Sequence, residues 1–156
     1  MCEEYKTLTV KLSGSNVIVS DAIIRTLDNK TAVGVRALWD TGATSSAISK
    51  RAAEALKLPL LGSTERSSVT GTSDRGLYIA NIQLGDIYVN NLYVHDFVSE
   101  EFDLLVGMDV INLGDIALTG RGEERTFSFI IPSSGGVIDF HERLKEWQEK
   151  RIKRLQ

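Results

Sequence analysis

Ala37-Leu38-Trp39-Asp40-Thr41-Gly42-Ala43-Thr44-Ser45-Ser46 carries more information than any other stretch of this chain. An apolar run delivers a carboxylate at its end, and Thr41-Gly42 then turns the backbone sharply, presenting N–H groups and a hydroxyl to that carboxylate. Donors around a carboxylate favour its charged form, whereas apolar surroundings or a second carboxylate oppose ionisation, so such a place can set protonation finely. The plain alternative is a turn that Asp40 caps and to which Gly42 contributes a positive φ, as happens in many loops. Context raises the specificity. Thr31 to Leu38 reads as a strand before the motif, and Ser49 to Leu58 reads as a short helix after it. There Ala52, Ala53, Ala55, Leu56 and Lys57 favour helix, Ser49 can cap its start, and Pro59 stops the pattern.

Working outward, Thr7 to Leu12 alternates at period two, Ser13-Gly14-Ser15-Asn16 breaks it, and Val17 to Ile24 follows as a second strand. Leu27-Asp28-Asn29-Lys30 is a turn, so two β-hairpins are expected before Asp40. Downstream, Val69 to Leu84 reads as two strands around the turn Gly71-Thr72-Ser73-Asp74-Arg75-Gly76, and Ile87 to Val98 follows with a turn at Asn90-Asn91. Leu104-Leu105-Val106, ending in Gly107, has the character of a fully buried strand, and Ile116 to Leu118 and Phe127 to Ile131 complete the β content. The last segment changes period. Phe140, Leu144, Trp147, Arg151 and Leu155 share one helical face, and Asp139 with Glu142 forms an acidic variant of the capping box. Residues 1–138 are therefore expected to form one mostly β domain with one short internal helix. Residues 139–156 form a C-terminal amphipathic helix packed on that domain or extending from it, with a cover for the β body as the default.

The 156 residues, 42% hydrophobic and 25% charged, suit a single globular domain. One cysteine, Cys2, excludes an internal disulfide, and with only two histidines a Cys/His zinc cluster within one chain is excluded too. Asp96, Glu100, Glu101 and Asp103 could attract a cation, but their spacing matches no EF-hand loop and a solvated face is expected, so no metal is assigned. Ser45 or Ser46 with His95 could suggest a serine hydrolase; without a Gly-x-Ser-x-Gly elbow, structural serines are expected. Net charge is -3, and residues 141 to 156 hold 6 Lys/Arg and 3 Asp/Glu, leaving 12 and 18 for the rest. A mildly acidic body repels phosphate, so no nucleic-acid partner is expected. No run approaches ~18 apolar residues, so no membrane span is expected. Met1 to Lys6 lacks the basic and apolar regions of a signal peptide, which gives a cytoplasmic expectation.

With these motifs in order, the sequence resembles the retropepsin-like aspartic proteases, the family of retroviral proteases, the related domains of ubiquitin-shuttle proteins and many bacterial homologues. Three features carry the resemblance: Asp40-Thr41-Gly42-Ala43; the Gly-rich hairpin Val69 to Gly76, where the family places its flap; and Asp103-Leu104-Leu105-Val106-Gly107-Met108-Asp109-Val110-Ile111, similar to the family's apolar-apolar-Gly motif and following short helix. They lie within residues 31 to 118. Trp39 stands where a smaller aliphatic residue is usual, and Met108-Asp109 replaces the Arg-Asn or Arg-Asp of retroviral members, in the manner of non-viral relatives.

The resemblance implies the closed β-barrel of the acid protease fold and an aspartic endopeptidase acting on a peptide or protein substrate without a cofactor. Pepsin-like enzymes carry two such motifs per chain and this chain has one, so the resemblance implies a homodimer in which the second carboxylate comes from another subunit. Carried over residue by residue, Asp40 is the acid and base, Thr41 locks the two active-site loops together across the dimer, and Gly42 permits the turn. Ala43 lines the site, and Gly71, Thr72 and Ser73 belong to a lid that closes over an extended substrate. Two alternatives stand beside this expectation: a catalytically silent dimeric peptide- or protein-binding module of the same fold, and a structural β domain with a fortuitous Asp-Thr-Gly.

Overall fold

The computed structural model describes residues 4–68 and 71–155, and for 64–68, 71–74 and 152–155 it describes the backbone alone. Cys2, and Val69 and Thr70 of the hairpin motif, lie outside the described residues, as does the side chain of Leu155. In chain order the elements are β1 (Lys6–Ser13), β2 (Ile18–Arg25), β3 (Ala32–Trp39), β4 (Ala47–Ser49), α1 (Lys50–Ala55), β5 (Gly62–Ser68), β6 (Gly71–Leu84), β7 (Ile87–Phe97), β8 (Leu104–Val106), α2 (Met108–Ile111), β9 (Asp115–Arg121), β10 (Glu124–Ile131) and α3 (Phe140–Leu155).

Strands pair in the order β2-β3-β8-β4-β7-β6, and β6 pairs back to β2 through Ile23↔Gln83, Ile24↔Ile82 and Arg25↔Asn81, which closes a six-stranded barrel. Closure removes the exposed edges that an open sheet would offer. β8 lies inside this ladder, parallel to β3 and antiparallel to β4, and its Leu104 and Val106 are buried along with Ala37 and Trp39 of β3. That accounts for the uninterrupted apolar run in β8, since an inner strand meets protein on both faces. A separate three-stranded sheet, β1-β10-β9, packs against the barrel. Phe127 and Phe129 of β10 enclose the Trp39 indole with ring centroids 4.7 and 5.1 Å away, and Trp39 Nε1 donates to Ser20 Oγ at 2.9 Å. The large residue before Asp40 thus fills the seam between the two sheets and has its one polar atom satisfied.

Four expectations are corrected. Only β2 and β3 form a hairpin before Asp40; β1 pairs along its whole length with β10, from Lys6↔Ile131 to Ser13↔Glu124. Alternation specifies which face of β1 is apolar, and Phe127 and Phe129 supply the apolar face it joins. Asn90-Asn91 is a β-bulge rather than a turn: both residues oppose Asn81 between the pairs Ala80↔Leu92 and Ile82↔Val89. Asn91 has φ 56° and its N–H donates to Asn81 Oδ1 at 2.9 Å, while the Asn81 amide reaches Asn29 Oδ1 at 3.2 Å, so the extra residue leaves no buried amide stranded. Residues 71 to 76 form part of strand β6 instead of a turn, paired with β5 from Gly71↔Ser68 to Gly76↔Ser63. At Gly76 a Cβ would come within 2.8 Å of the Tyr78 ring and 2.9 Å of the Leu60 side chain, so those two side-chain ends would have to shift for a larger residue. Finally, α3 does not cover the β body, because every residue from Ser133 to Arg151 is exposed.

Candidate active site

Asp40 sits one residue beyond β3, with its backbone N–H bonded to Val106 O at 3.0 Å, so the end of β8 fixes where the side chain leaves the barrel. The half-buried carboxylate accepts from Gly42 N at 2.8 Å on Oδ1, and Asp40 O accepts from Ala43 N at 3.2 Å. Among the described residues, the Gly42 amide is the one hydrogen-bond donor to this carboxylate. Gly42 is not in the positive-φ region, contrary to the simple turn interpretation. Its role is proximity, since a Cβ would lie 3.2 Å from Asp40 Oδ1 and crowd the amide-to-carboxylate contact.

The loop is then clamped from below. Ala43 O accepts from Met108 N at 2.8 Å, joining the Asp-Thr-Gly turn to the start of α2. Asp109 accepts from Ser46 N at 2.9 Å on both oxygens, from Ser46 Oγ at 2.7 Å and from Val110 N at 3.0 Å. Ser46 Oγ in turn accepts from Gly107 N at 3.0 Å. Gly107 has to be glycine here: a Cβ would stand 2.6 Å from Ser45 C and 2.8 Å from Ser45 O. The two sequence motifs, 61 to 63 residues apart, are one structural unit in which the second holds the first.

Ser46 is 1% exposed and committed to Asp109 and Gly107, so it is a structural serine as expected. Asp109 is the residue whose importance sequence reasoning missed. The available signal was its place two residues after Gly107, and nothing local pointed to Ser46 as its partner. Asp103, from the acidic cluster, is also structural: it accepts from Arg51 Nη2 at 2.8 Å and from the α1 cap Ser49 Oγ at 2.5 Å. Those contacts, the Arg51 hydrogen bonds first, hold its carboxyl below the ordinary value of 3.8 despite partial burial. Asp96, another member of that cluster, accepts from Gly76 N at 3.1 Å. Among the described residues, no group of three His, Cys, Asp or Glu side chains is placed to hold a metal ion.

Thr41 is exposed at the rim of a groove of about 1060 Å³, which Met108, Ile111 and Ile116 also line. Ala43 is half-buried behind it. Gly71, Thr72 and Ser73 lie on the β5–β6 hairpin. There Gly62 to Ser68 pair with Gly71 to Leu77, and pairing of β6 with β7 begins at Leu77↔His95, so the hairpin projects from the barrel wall. Arg75 Nη1 donates to Asp96 O at 3.1 Å at the root of that projection.

The family model described as "gag-polyprotein putative aspartyl protease" matches residues 15–113, which run from before β2 through α2 and contain both motifs. The chain belongs to this aspartyl protease family. A crystal structure of a retropepsin-like aspartic protease from Rickettsia conorii matches with a TM-score of 0.51 at 14% identity, over 82% of this chain and 96% of that one. At such identity the likeness is one of fold, and it establishes the retropepsin-like barrel. The retroviral protease-like domain of Ddi1 from Leishmania major matches with a TM-score of 0.40 at 18% identity, over 74% of this chain and 96% of that one. None of the curated proteins matches. Within the retropepsin-like family frame, β1, β9, β10 and α3 lie wholly or almost wholly outside the matched residues, and no helix among the described residues is long and apolar enough to cross a membrane.

Proposed function

We propose that this chain is an aspartic endopeptidase that hydrolyses peptide bonds as a symmetric homodimer. The observation that supports this best is the Asp40 carboxylate, half-buried at the mouth of the barrel and engaged by a single described donor on one oxygen. The reaction needs one carboxyl group as base and another as acid, and a two-fold axis beside Thr41 would supply the second as the Asp40 of another copy. Two adjacent carboxylates resist double ionisation and share one proton. The ionised member takes a proton from a water, whose oxygen adds to the scissile carbonyl carbon, while the protonated member gives its proton to the carbonyl oxygen. Collapse of the tetrahedral species breaks the C–N bond, with a proton delivered to the leaving nitrogen. Both titrations belong to the pair. Thr41 ties the two loops across the axis, Gly42 and Ala43 border the substrate backbone, and the hairpin bearing Gly71, Thr72 and Ser73 closes over an extended peptide. The β domain of residues 1–138 carries these parts, and the cytoplasm is the compartment in which we place them.

The test compares wild type with Asp40→Asn on a diverse peptide library across about pH 4 to pH 7, with oligomeric state measured in the same buffers. Cleavage by a wild-type dimer, lost in a folded and dimeric Asp40→Asn, is the expected result. Cleavage retained by the pure variant, or a stable wild-type dimer that cuts nothing in the library, overturns the proposal.

A further inference from the structure

β7 carries a carboxylate where its alternation calls for an apolar side chain. Successive side chains of a strand point to opposite faces, and Asp96, two residues beyond the fully buried Val94, is only 6% exposed. Burying a carboxylate is costly unless it is hydrogen-bonded. Its place in the sheet supplies the reason. β6 and β7 pair from Leu84↔Ile87 to Leu77↔His95, and there their ladder stops. β7 itself goes on inside the barrel, held by β4 through Ile48↔Asp96 and Ser49↔Phe97. β6 instead continues with β5 alone, from Gly62↔Leu77 to Ser68↔Gly71. Asp96 thus stands at the fork where the β5–β6 hairpin parts from the barrel wall.

At that fork side chains take over from the ladder. Gly76 N donates to Asp96 Oδ1 at 3.1 Å, in place of a main-chain carbonyl, and Asp96 O accepts from Arg75 Nη1 at 3.1 Å. On the β5 side of the same fork, Leu61 N donates to Leu77 O at 2.9 Å. A ladder carbonyl is fixed to its strand, whereas a carboxylate turns about two side-chain torsions and accepts over a wider range of directions. The Gly76 amide can therefore stay satisfied while the hairpin tilts, which a continued ladder would prevent.

We propose that Asp96 is a positioning residue of the peptidase: by holding the Gly76 N–H it sets the point and angle at which the β5–β6 hairpin leaves the barrel. It thereby sets where Gly71, Thr72 and Ser73 stand over a bound peptide. Asp96 touches no reacting atom and acts through the hairpin. The inference rests on the proposed function, because a hairpin that closes over substrate needs both a fixed root and freedom to swing. A main-chain ladder gives the first alone, and an unbonded root the second alone.

Three variants of the full chain test this, with far-UV circular dichroism and oligomeric state as checks on folding and assembly. Asp96→Ala removes the acceptor, Asp96→Asn keeps an acceptor oxygen, and Arg75→Met removes the guanidinium at the same fork. Amide hydrogen exchange reads the anchor: in Asp96→Ala, Gly76 and residues 62–68 should exchange about tenfold faster or more, with β2 and β3 unchanged. Cleavage of a peptide that the wild type cuts reads the consequence. In Asp96→Ala its KM should rise about tenfold or more while kcat stays within about threefold of wild type. Asp96→Asn should keep KM within about threefold of wild type, and Arg75→Met should fall between the two. Unchanged exchange at Gly76 in folded Asp96→Ala, or exchange raised equally in β2 and β3, overturns the proposal. So does faster exchange with an unchanged KM, or an Asp96→Asn as impaired as Asp96→Ala. If Asp96→Ala does not fold, Arg75→Met carries the test: faster exchange confined to the hairpin supports the anchor, and unchanged exchange overturns it. A wild-type dimer that cleaves nothing overturns the proposed function and the substrate-holding role with it, while exchange at Gly76 still decides whether Asp96 anchors the hairpin.

Discussion

Removing the Asp109 carboxylate should loosen the Asp-Thr-Gly loop from beneath. In Asp109→Ala the Ser46 N–H and hydroxyl lose an ionised acceptor at 2.7 to 2.9 Å, and Val110 N loses its contact at 3.0 Å. Ser46 is 1% exposed, so water cannot readily replace that acceptor. Hydrogen bonds to a charged group contribute about 1.5–3 kcal/mol each, and with Asp109 itself half-exposed the summed loss is about 3 kcal/mol. For a domain of this size that corresponds to a fall in Tm of about 6–12 °C. Asp109→Asn keeps the shape and one acceptor oxygen and should cost about 1 kcal/mol. Ser46→Ala removes the hydroxyl that bridges Gly107 N to Asp109 and should cost about 1–2 kcal/mol. Because the two residues share one network, the double variant should fall short of the sum by more than about 0.5 kcal/mol. Urea unfolding followed by far-UV circular dichroism measures all four. An Asp109→Ala within about 0.5 kcal/mol of wild type, or a strictly additive cycle, would refute the idea that the second motif holds the first.

Gly107→Ala should destabilise by about 2–3 kcal/mol, because its Cβ would meet the Ser45 carbonyl at 2.6 to 2.8 Å and force the two loops apart; thermal melts check it, and an unchanged midpoint would show that the loops can part freely. Asp103 has its carboxyl held below 3.8 in the folded chain, so its contribution to stability is present above that value and is lost as pH falls through the lowered folded value. The stability difference between wild type and Asp103→Asn should therefore be constant near neutrality and close only below about pH 4; denaturant titrations across that range read it, and a difference that instead grows on acidification contradicts the sign. Trp39→Phe keeps an aromatic against Phe127 and Phe129 but loses the bond to Ser20 and part of the seam volume, and should cost about 1–2 kcal/mol in urea unfolding.

Local chemistry was enough to define several elements and the candidate nucleophile-activating group. Ala37 and Trp39 before Asp40, and Leu104 and Val106 of the second apolar run, lie in strands that bury them, and their apolar side chains are displayed directly in the sequence. Ser49 caps α1, and its hydroxyl accepts from Ala52 N at 3.0 Å. Asp139 caps α3, and the spacing of Phe140, Leu144 and Trp147 makes that helix amphipathic. All of these depend on contacts within a few residues, which an amino-acid sequence displays directly. So did the two motifs that place the chain among retropepsin-like proteases, because each is contiguous.

Long-range packing decided the rest. Whether β1 joins β2 or β10 depends on which apolar face fills the space beside Trp39, and alternation in β1 is the same in either case. Asn90-Asn91 has turn chemistry, yet the strand continues through it because Asn81 offers an acceptor to the displaced amide. Gly42 and Gly107 are small because of a carboxylate and a backbone that approach them in space, not because of their own φ. The partnership of Ser46 with Asp109 spans 63 residues and exists only once β3, β4 and β8 lie side by side. The amphipathic pattern of α3 likewise states that one face is apolar, whereas only the folded chain reveals that this face remains uncovered. In each case the sequence supplies a group with an unmet requirement, and the three-dimensional packing determines which distant group meets it.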